Sequence, residues 1–401
     1  MIRPLIAEDI PQLADLHMRT SEAGGHSDDQ VRRAYEAQFG ELFLNYPGYE
    51  SDLPSLVNEE KDGTLSGLLA VMARPMQFKG EPIRMAVSSR MSVDPASRSK
   101  LAGVQLMKTF LNGPQDLAIA DLANQTSRKL WERLGGSTAP LYAFNWTKIL
   151  RPCRRAVNRL ELKPKIAPFV RLGKIPATIV DAGIQKVRKF RACNELTEEP
   201  LTEDLFHKFL PQFTELDDVY PVYECDWVRW LWNRMDFMWD EGRLFKVVVK
   251  DNSGQIAGWF IYNIEPTGYS HVAQIAANEK TIVNVLQQLF HHAQRHGAVS
   301  LNGRVPPKFL REFSREGKCD IHCHAQVALI HSKNPEIMRA FERGEAFLTD
   351  FEGEGCLYLG IREQEAKPTK TKFKQQVSAD STRPGEPDID YVQRLVAEAT
   401  D

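Results

Sequence analysis

The sequence predicts an α/β chain of two tandem units, each a mixed, mostly antiparallel sheet flanked by helices. Three observations carry that prediction. Residues 83–136 read as a strand, a tight polar turn, an amphipathic helix, then a second strand and helix. The order over residues 1–150 is strand, two helices, three strands, helix, strand, helix, strand, and it begins again near Leu201. The 401 residues leave room for two cores, and no segment is apolar over the roughly 18 residues that a membrane span needs.

Each element has a local reason. Residues 2–4 form a short strand, and Ala7, Glu8 and Asp9 lead into a helix with Ile10, Leu13, Leu16 and His17 on one side. Ser27 is a candidate N-cap for a second helix through Val31, Tyr35, Phe39 and Phe43. Residues 55–60 and 65–74 make a hairpin about Lys61-Asp62-Gly63, because Asp-Gly accepts the positive φ of a tight turn. Residues 83–93 alternate as a half-buried strand does, and Pro95 ends them. From Leu101 a helix places Val104, Leu106, Met107, Phe110 and Leu111 on one side. Residues 116–121 form the next strand, 124–134 the next helix, and 140–150 a strand that closes the first sheet.

The turn after residue 93 carries the chemistry. A helix N-terminus offers free N–H groups and the positive end of a dipole, and here it faces Arg98 and Lys100. That combination suits a pyrophosphate. The stretch resembles the GNAT (GCN5-related) acyltransferase superfamily, whose pattern V-x-P-x-x-[R/Q]-G-x-G-x-[G/A] wraps the pyrophosphate of acyl-CoA. Val93, Pro95, Arg98 and Gly103 match it, while Ser99 and Leu101 replace common glycines. The opening residues 2–17 are also similar to the family's first strand and helix.

The resemblance implies two tandem GNAT-like domains, with acetyl-CoA or another acyl-CoA as cofactor. Met91, Val93, Arg98, Ser99, Lys100, Ala102 and Gly103 would hold it, together with Asn124, near which the family has an asparagine that contacts the pantetheine arm. Trp131 takes the approximate place of the family's acid tyrosine. Residues 1–150 are the CoA-binding domain, 151–195 a basic linker, and 196–363 a second, degenerate domain. In the latter, the turn Ala277-Asn278-Glu279 puts a carboxylate where a phosphate would sit. Residues 364–401, rich in Lys, Thr, Ser, Pro and Glu, read as a disordered tail.

Acyl transfer to an amine needs a held thioester, a donor at the developing oxyanion and a route for the amine proton. Backbone N–H groups of residues 91–93 are candidates for the donor, Asp121 for the base and Tyr142 for the acid. The function expected is N-acyl transfer to a small-molecule amine such as an amino sugar, an amino acid or a surface-glycan precursor. The rival is a non-catalytic binding or scaffold protein, which Leu101, Trp131 and the degenerate second half support.

Other features are read more plainly. Net charge is −2, so no global pull toward nucleic acid follows. Residues 148–191 hold 13 basic and 2 acidic residues, suited either to an anionic surface or to two solvated linker helices. The N-terminus lacks a signal peptide's apolar region, and six scattered cysteines suggest reduced thiols in a cytoplasmic protein. No metal is expected: alternation in a strand would separate Cys323 from His322 and His324. His271, Gln274, Asn302 and Arg304 fall on the second half's fourth and fifth strands, where they could meet an acceptor or be satisfied edge residues.

Overall fold

The computed structural model describes residues 1–20, 29–94, 96, 101–161, 174–187, 196–238, 242–323 and 327–357. The strands are β1 (Ile2–Pro4), β2 (Leu56–Glu59), β3 (Leu65–Phe78), β4 (Glu81–Val93), β5 (Leu117–Ala123), β6 (Ser137–Thr138), β7 (Phe144–Ile149), β8 (Leu196–Pro200), β9 (Val219–Pro221), β10 (Arg243–Asp251), β11 (Ile256–Ile264), β12 (Tyr269–Ala277), β13 (Ser300–Arg304), β14 (Asp320–Cys323) and β15 (Val327–His331). The helices are α1 (Ile10–Thr20), α2 (Asp29–Leu44), α3 (Ala102–Leu111), α4 (Gln125–Arg133), α5 (Pro152–Glu161), α6 (Lys174–Val187), α7 (Glu203–Phe209), α8 (Pro211–Thr214), α9 (Cys225–Met238), α10 (Ile282–Arg295) and α11 (Pro335–Glu342).

They build two mixed sheets, as the sequence predicts. The first runs β1-β2-β3-β4-β5-β15-β6, with β9 on the far end of β3; the second runs β14-β7-β13-β12-β11-β10-β8. Each contains one parallel pair, β4 with β5 and β12 with β13.

The closing strands are exchanged. The sequence assigns residues 140–150 to the first sheet, but β7 lies in the second, between β13 and β14. The first sheet is closed instead by β15, which pairs with both β5 and β6. Packing decides the matter: Trp146 of β7 is fully buried against Phe290 and Phe313 of the second half. Alternation reveals which face of a strand is apolar, not which sheet will accept it.

Three local features complete the fold. Residues 320–331 form two strands in different sheets, β14 and β15. Residues 307–316 form a short 3-10 turn, Pro307–Phe309, followed by a π turn, Glu312–Glu316. Cys356 lies in the 3-10 turn Glu354–Leu357. Ser27 and residues 364–401 lie outside the described residues.

Three cores result. Leu68, Ala70 and Met72 of β3 join Trp227, Trp259, Ile261 and Ala273 in a core shared by both halves. The alternate positions Leu69, Val71 and Ala73 pack instead with α3 and α4. Phe260, Tyr262 and Ile264 of β11 form the third core with α10 and β7. The tryptophan-rich helix α9 crosses between halves, for Trp230 donates to Glu41 of α2 at 3.1 Å.

Candidate active site

Strand β4 diverges from its parallel neighbour early. It pairs with β5 only from Met85 to Val87, although it remains paired with β3 as far as Val93. Beyond Val87 the β5-facing edge of β4 has no strand partner among the described residues. A bulge bends β4 in this region, since Leu68 faces Ser92 but Ala70 faces Ser89. Arg90 within the bulge has φ +45°, a conformation that side chains with a Cβ rarely adopt.

Met91 and Val93 follow the bulge, both half-buried. Ala102 and Gly103 begin α3, whose N-terminus has no side-chain cap among the described residues and no acidic residue in its first turn. Pro95, Arg98, Ser99 and Lys100 lie outside the described residues. Asn124 is the N-cap of α4, its side chain accepting from the Ser127 N–H at 2.9 Å. Trp131 is a packing residue, fully buried, with its indole N–H donating to the Ile330 carbonyl of β15 at 3.0 Å.

Asp121 is buried, and its partners come from the other half of the chain. Arg304 of β13 donates to Oδ2 at 2.6 Å, and the Glu354 N–H donates to Oδ1 at 2.6 Å. Arg304 Nη1, also buried, has no hydrogen-bond partner among the described residues. The assignment of Asp121 as a free base is therefore corrected: its oxygens are engaged by an ion pair and an amide. Tyr142 is likewise unsuited to proton transfer. Its buried hydroxyl donates to the Ala346 carbonyl at 2.9 Å and accepts from the Ala346 N–H at 2.8 Å, and burial raises its pKa.

Residues 345–357, which carry no assigned role in the sequence reading, thread between the two sheets. Asp350, Glu352 and Glu354 of this segment alternate along the chain and reach different partners. Asp350 meets Nε2 of His271, whose Nδ1 contacts Asn302 at 2.9 Å. Burial opposes protonation of His271, but the Asp350 charge and the hydrogen bonds outweigh it and raise the pKa to about 9. Glu352, fully buried, accepts from the Tyr223 hydroxyl and from the Thr349 N–H and hydroxyl. Burial raises its pKa. Beside Tyr223, the Arg74 guanidinium stacks 3.9 Å from the Trp227 ring and donates to the Phe351 carbonyl at 2.5 Å.

Glu354, half-buried, accepts from the Leu122 N–H of β5 at 3.0 Å and bonds Ser89 of β4. It therefore bridges the two strands that diverge. Burial, followed by the negative charge of Asp121, raises its pKa to about 8. Gly353 permits this approach, because a Cβ there would lie 2.0 Å from Asp121 Oδ2. The sequence signal for the segment was the run Asp350, Glu352 and Glu354 alternating with Phe351 and Gly353. The structure also unites His271, Asn302 and Arg304 around it, as acceptor-side candidates, while Gln274 is occupied by the Trp259 indole N–H at 2.9 Å.

In sequence, no protein-family model and no curated protein matches the chain. In structure, it is similar to a GCN5-related N-acetyltransferase from Anabaena variabilis, with TM-score 0.55 and 13% identity over 84% of this chain and 73% of that one. It is also similar to a conserved protein of unknown function and probable N-acyltransferase from Enterococcus faecalis, with TM-score 0.53 and 10% identity over 83% and 72%. A GCN5-related N-acetyltransferase from Kribbella flavida gives 0.51 and 12% over 83% and 70%. The chain has the GNAT fold.

Proposed function

We propose that the chain is an acyl-CoA-dependent N-acyltransferase, acetyl-CoA being the donor of choice, acting on a small amine. The observation that carries this reading is the opening of β4 from β5, with the Glu354 carboxyl bridging the two strands and a pKa of about 8. The surroundings fit an acyl-CoA: the β5-facing edge of β4 beyond Val87, without a strand partner among the described residues, and the start of α3, without a side-chain cap among them, supply backbone groups for the pantetheine arm and for phosphate. Met91, Val93, Arg98, Ser99, Lys100, Ala102 and Gly103 would hold it, with Asn124 at the head of α4. When bound, it supplies an activated thioester carbonyl.

The chain's own groups do the rest. Glu354, with its pKa near the working pH, takes the proton that the amine must lose. Arg304 Nη1, a buried donor without a partner among the described residues, holds an oxygen of the acceptor. Asp121 keeps Arg304 and the backbone of Glu354 in position. We place the cofactor in residues 1–150 and regard 196–363 as the second, degenerate unit, joined by 151–195. Among the described residues, Cys153, Cys225, Cys319 and Cys323 form no disulfide, which favours a cytoplasmic setting.

A second reading rests on Gly353, which packs so closely on Asp121 that the segment also resembles a plug. A non-catalytic protein would follow from a closed opening. Calorimetric titration with acetyl-CoA and CoA separates the two. Micromolar binding, lost in Arg98→Glu and Gly103→Trp, supports the enzyme and warrants a screen of amines and amino sugars. No binding by the folded protein, with or without those acceptors, supports the scaffold.

A further inference from the structure

The basic segment forms a surface that the acyl-transfer reading leaves unused. Helices α5 and α6 pack on each other as a hairpin. Asp181 is buried between them, and its carboxylate accepts from the Cys153 and Arg154 N–H groups at 2.9 and 2.8 Å, capping α5. The hairpin is fastened to the second unit by Asn158, which donates to the Thr267 carbonyl at 2.9 Å, and by Arg151, which donates to the Gln294 carbonyl at 3.1 Å. It is therefore a built element with a defined outer face.

That face is apolar and basic together. Ile179 is 67% exposed, Val180 51% and Leu160 41%; on α6, helical spacing puts Ile179 opposite the buried Ala177 and Asp181. Pro152 and Ala156 extend the apolar side, Arg159 is exposed, and Arg154 and Arg155 are half-exposed. Residues 148–191 carry 13 basic and 2 acidic side chains in a chain of net charge −2, so the remaining residues are net acidic. One of those two acids, Asp181, is turned inward.

We propose that the α5–α6 hairpin docks the protein on an anionic lipid surface, with Ile179, Val180 and Leu160 entering the headgroup boundary and the arginines pairing with phosphates. Charge complementarity selects this occupant, and the exposed aliphatic side chains favour a lipid boundary over a purely polar polyanion. Of the arginines, Arg151 is engaged by the Gln294 carbonyl, so Arg154, Arg155 and Arg159 are the ones offered to phosphate. No helix among the described residues is long and apolar enough to cross a membrane, so the contact is peripheral.

The test is co-sedimentation of the full chain with vesicles of phosphatidylcholine alone or mixed with phosphatidylglycerol, at low and high salt, beside duplex DNA as a polyanion without an apolar layer. Expected is binding to the mixed vesicles only, released by salt. Arg155→Glu with Arg159→Glu should weaken it at least about 25-fold, at about fivefold per cation. Ile179→Ser with Val180→Ser should weaken it with charge and melting temperature unchanged. Absence of binding to mixed vesicles, equal binding to both vesicle types, capture by DNA alone, or indifference to the Ile179 and Val180 changes would overturn the proposal.

Discussion

Around Glu354 the decisive question is which carboxyl can accept a proton. Asp121 is paired with Arg304, with side chains 1% and 11% exposed, so the pair works as a strut. Arg304→Met should destabilise the protein by about 3–5 kcal/mol in urea unfolding, because it strands a buried carboxylate. The double change with Asp121→Asn should recover much of that loss. Glu354→Gln should leave stability nearly intact and remove the rise of activity with pH that the native enzyme is expected to show through about 8, where the base loses its proton. His271 acts on stability with a definite sign. Its pKa is raised from 6.5 to about 9, so its contribution is complete below 6.5 and is lost as pH rises through 9. His271→Asn should abolish that slope in melting temperatures measured across the range.

Helices and strands carry a different kind of prediction. Gly103 sits in the first turn of α3, and a Cβ there would come no closer than 3.5 Å, to Val93 Cγ2. Gly103→Ala should therefore stabilise the fold by up to about 1 kcal/mol through helix propensity. If phosphate approaches this turn, the same change should weaken CoA binding about tenfold, roughly 1.4 kcal/mol. Opposite signs in a thermal melt and a titration would be hard to explain by packing alone. Elements of this kind were legible in the sequence: β4 announces itself by alternation and by Pro95, α3 by helical spacing, and the hairpin of β2 and β3 by Asp62-Gly63. The destination of β7 was not, because Phe144 and Trp146 show an apolar face without naming the sheet that buries it. Nor was the role of Glu354, whose bond to Leu122 spans 232 residues. His271, Asn302 and Arg304 could be singled out as polar groups on strands, yet only the fold brings them to Asp350 and Asp121.

For the whole molecule, the exchange of β7 and β15 makes the two halves interdependent. A fragment ending at residue 150 would carry β7 without the sheet that buries Trp146, and it would leave β5 without β15. It would also expose Leu68, Ala70 and Met72, which rest on Trp227, Trp259 and Ala273 of the other half. The second half alone would lack the strand between β13 and β14, and β15 would have no partner. An open β5 edge beside an uncovered apolar face is an invitation to aggregation. Ordinary tandem domains meet at a modest surface and unfold separately; here the boundary runs through both sheets and a common core. Calorimetry of the full chain should therefore give one transition with equal van't Hoff and calorimetric enthalpies. Fragments 1–195 and 196–401 should be insoluble when made alone and should recover the native circular dichroism when co-expressed. Two separated transitions, or a soluble cooperative fragment 1–195, would mean that the exchanged strands contribute little to holding the halves together.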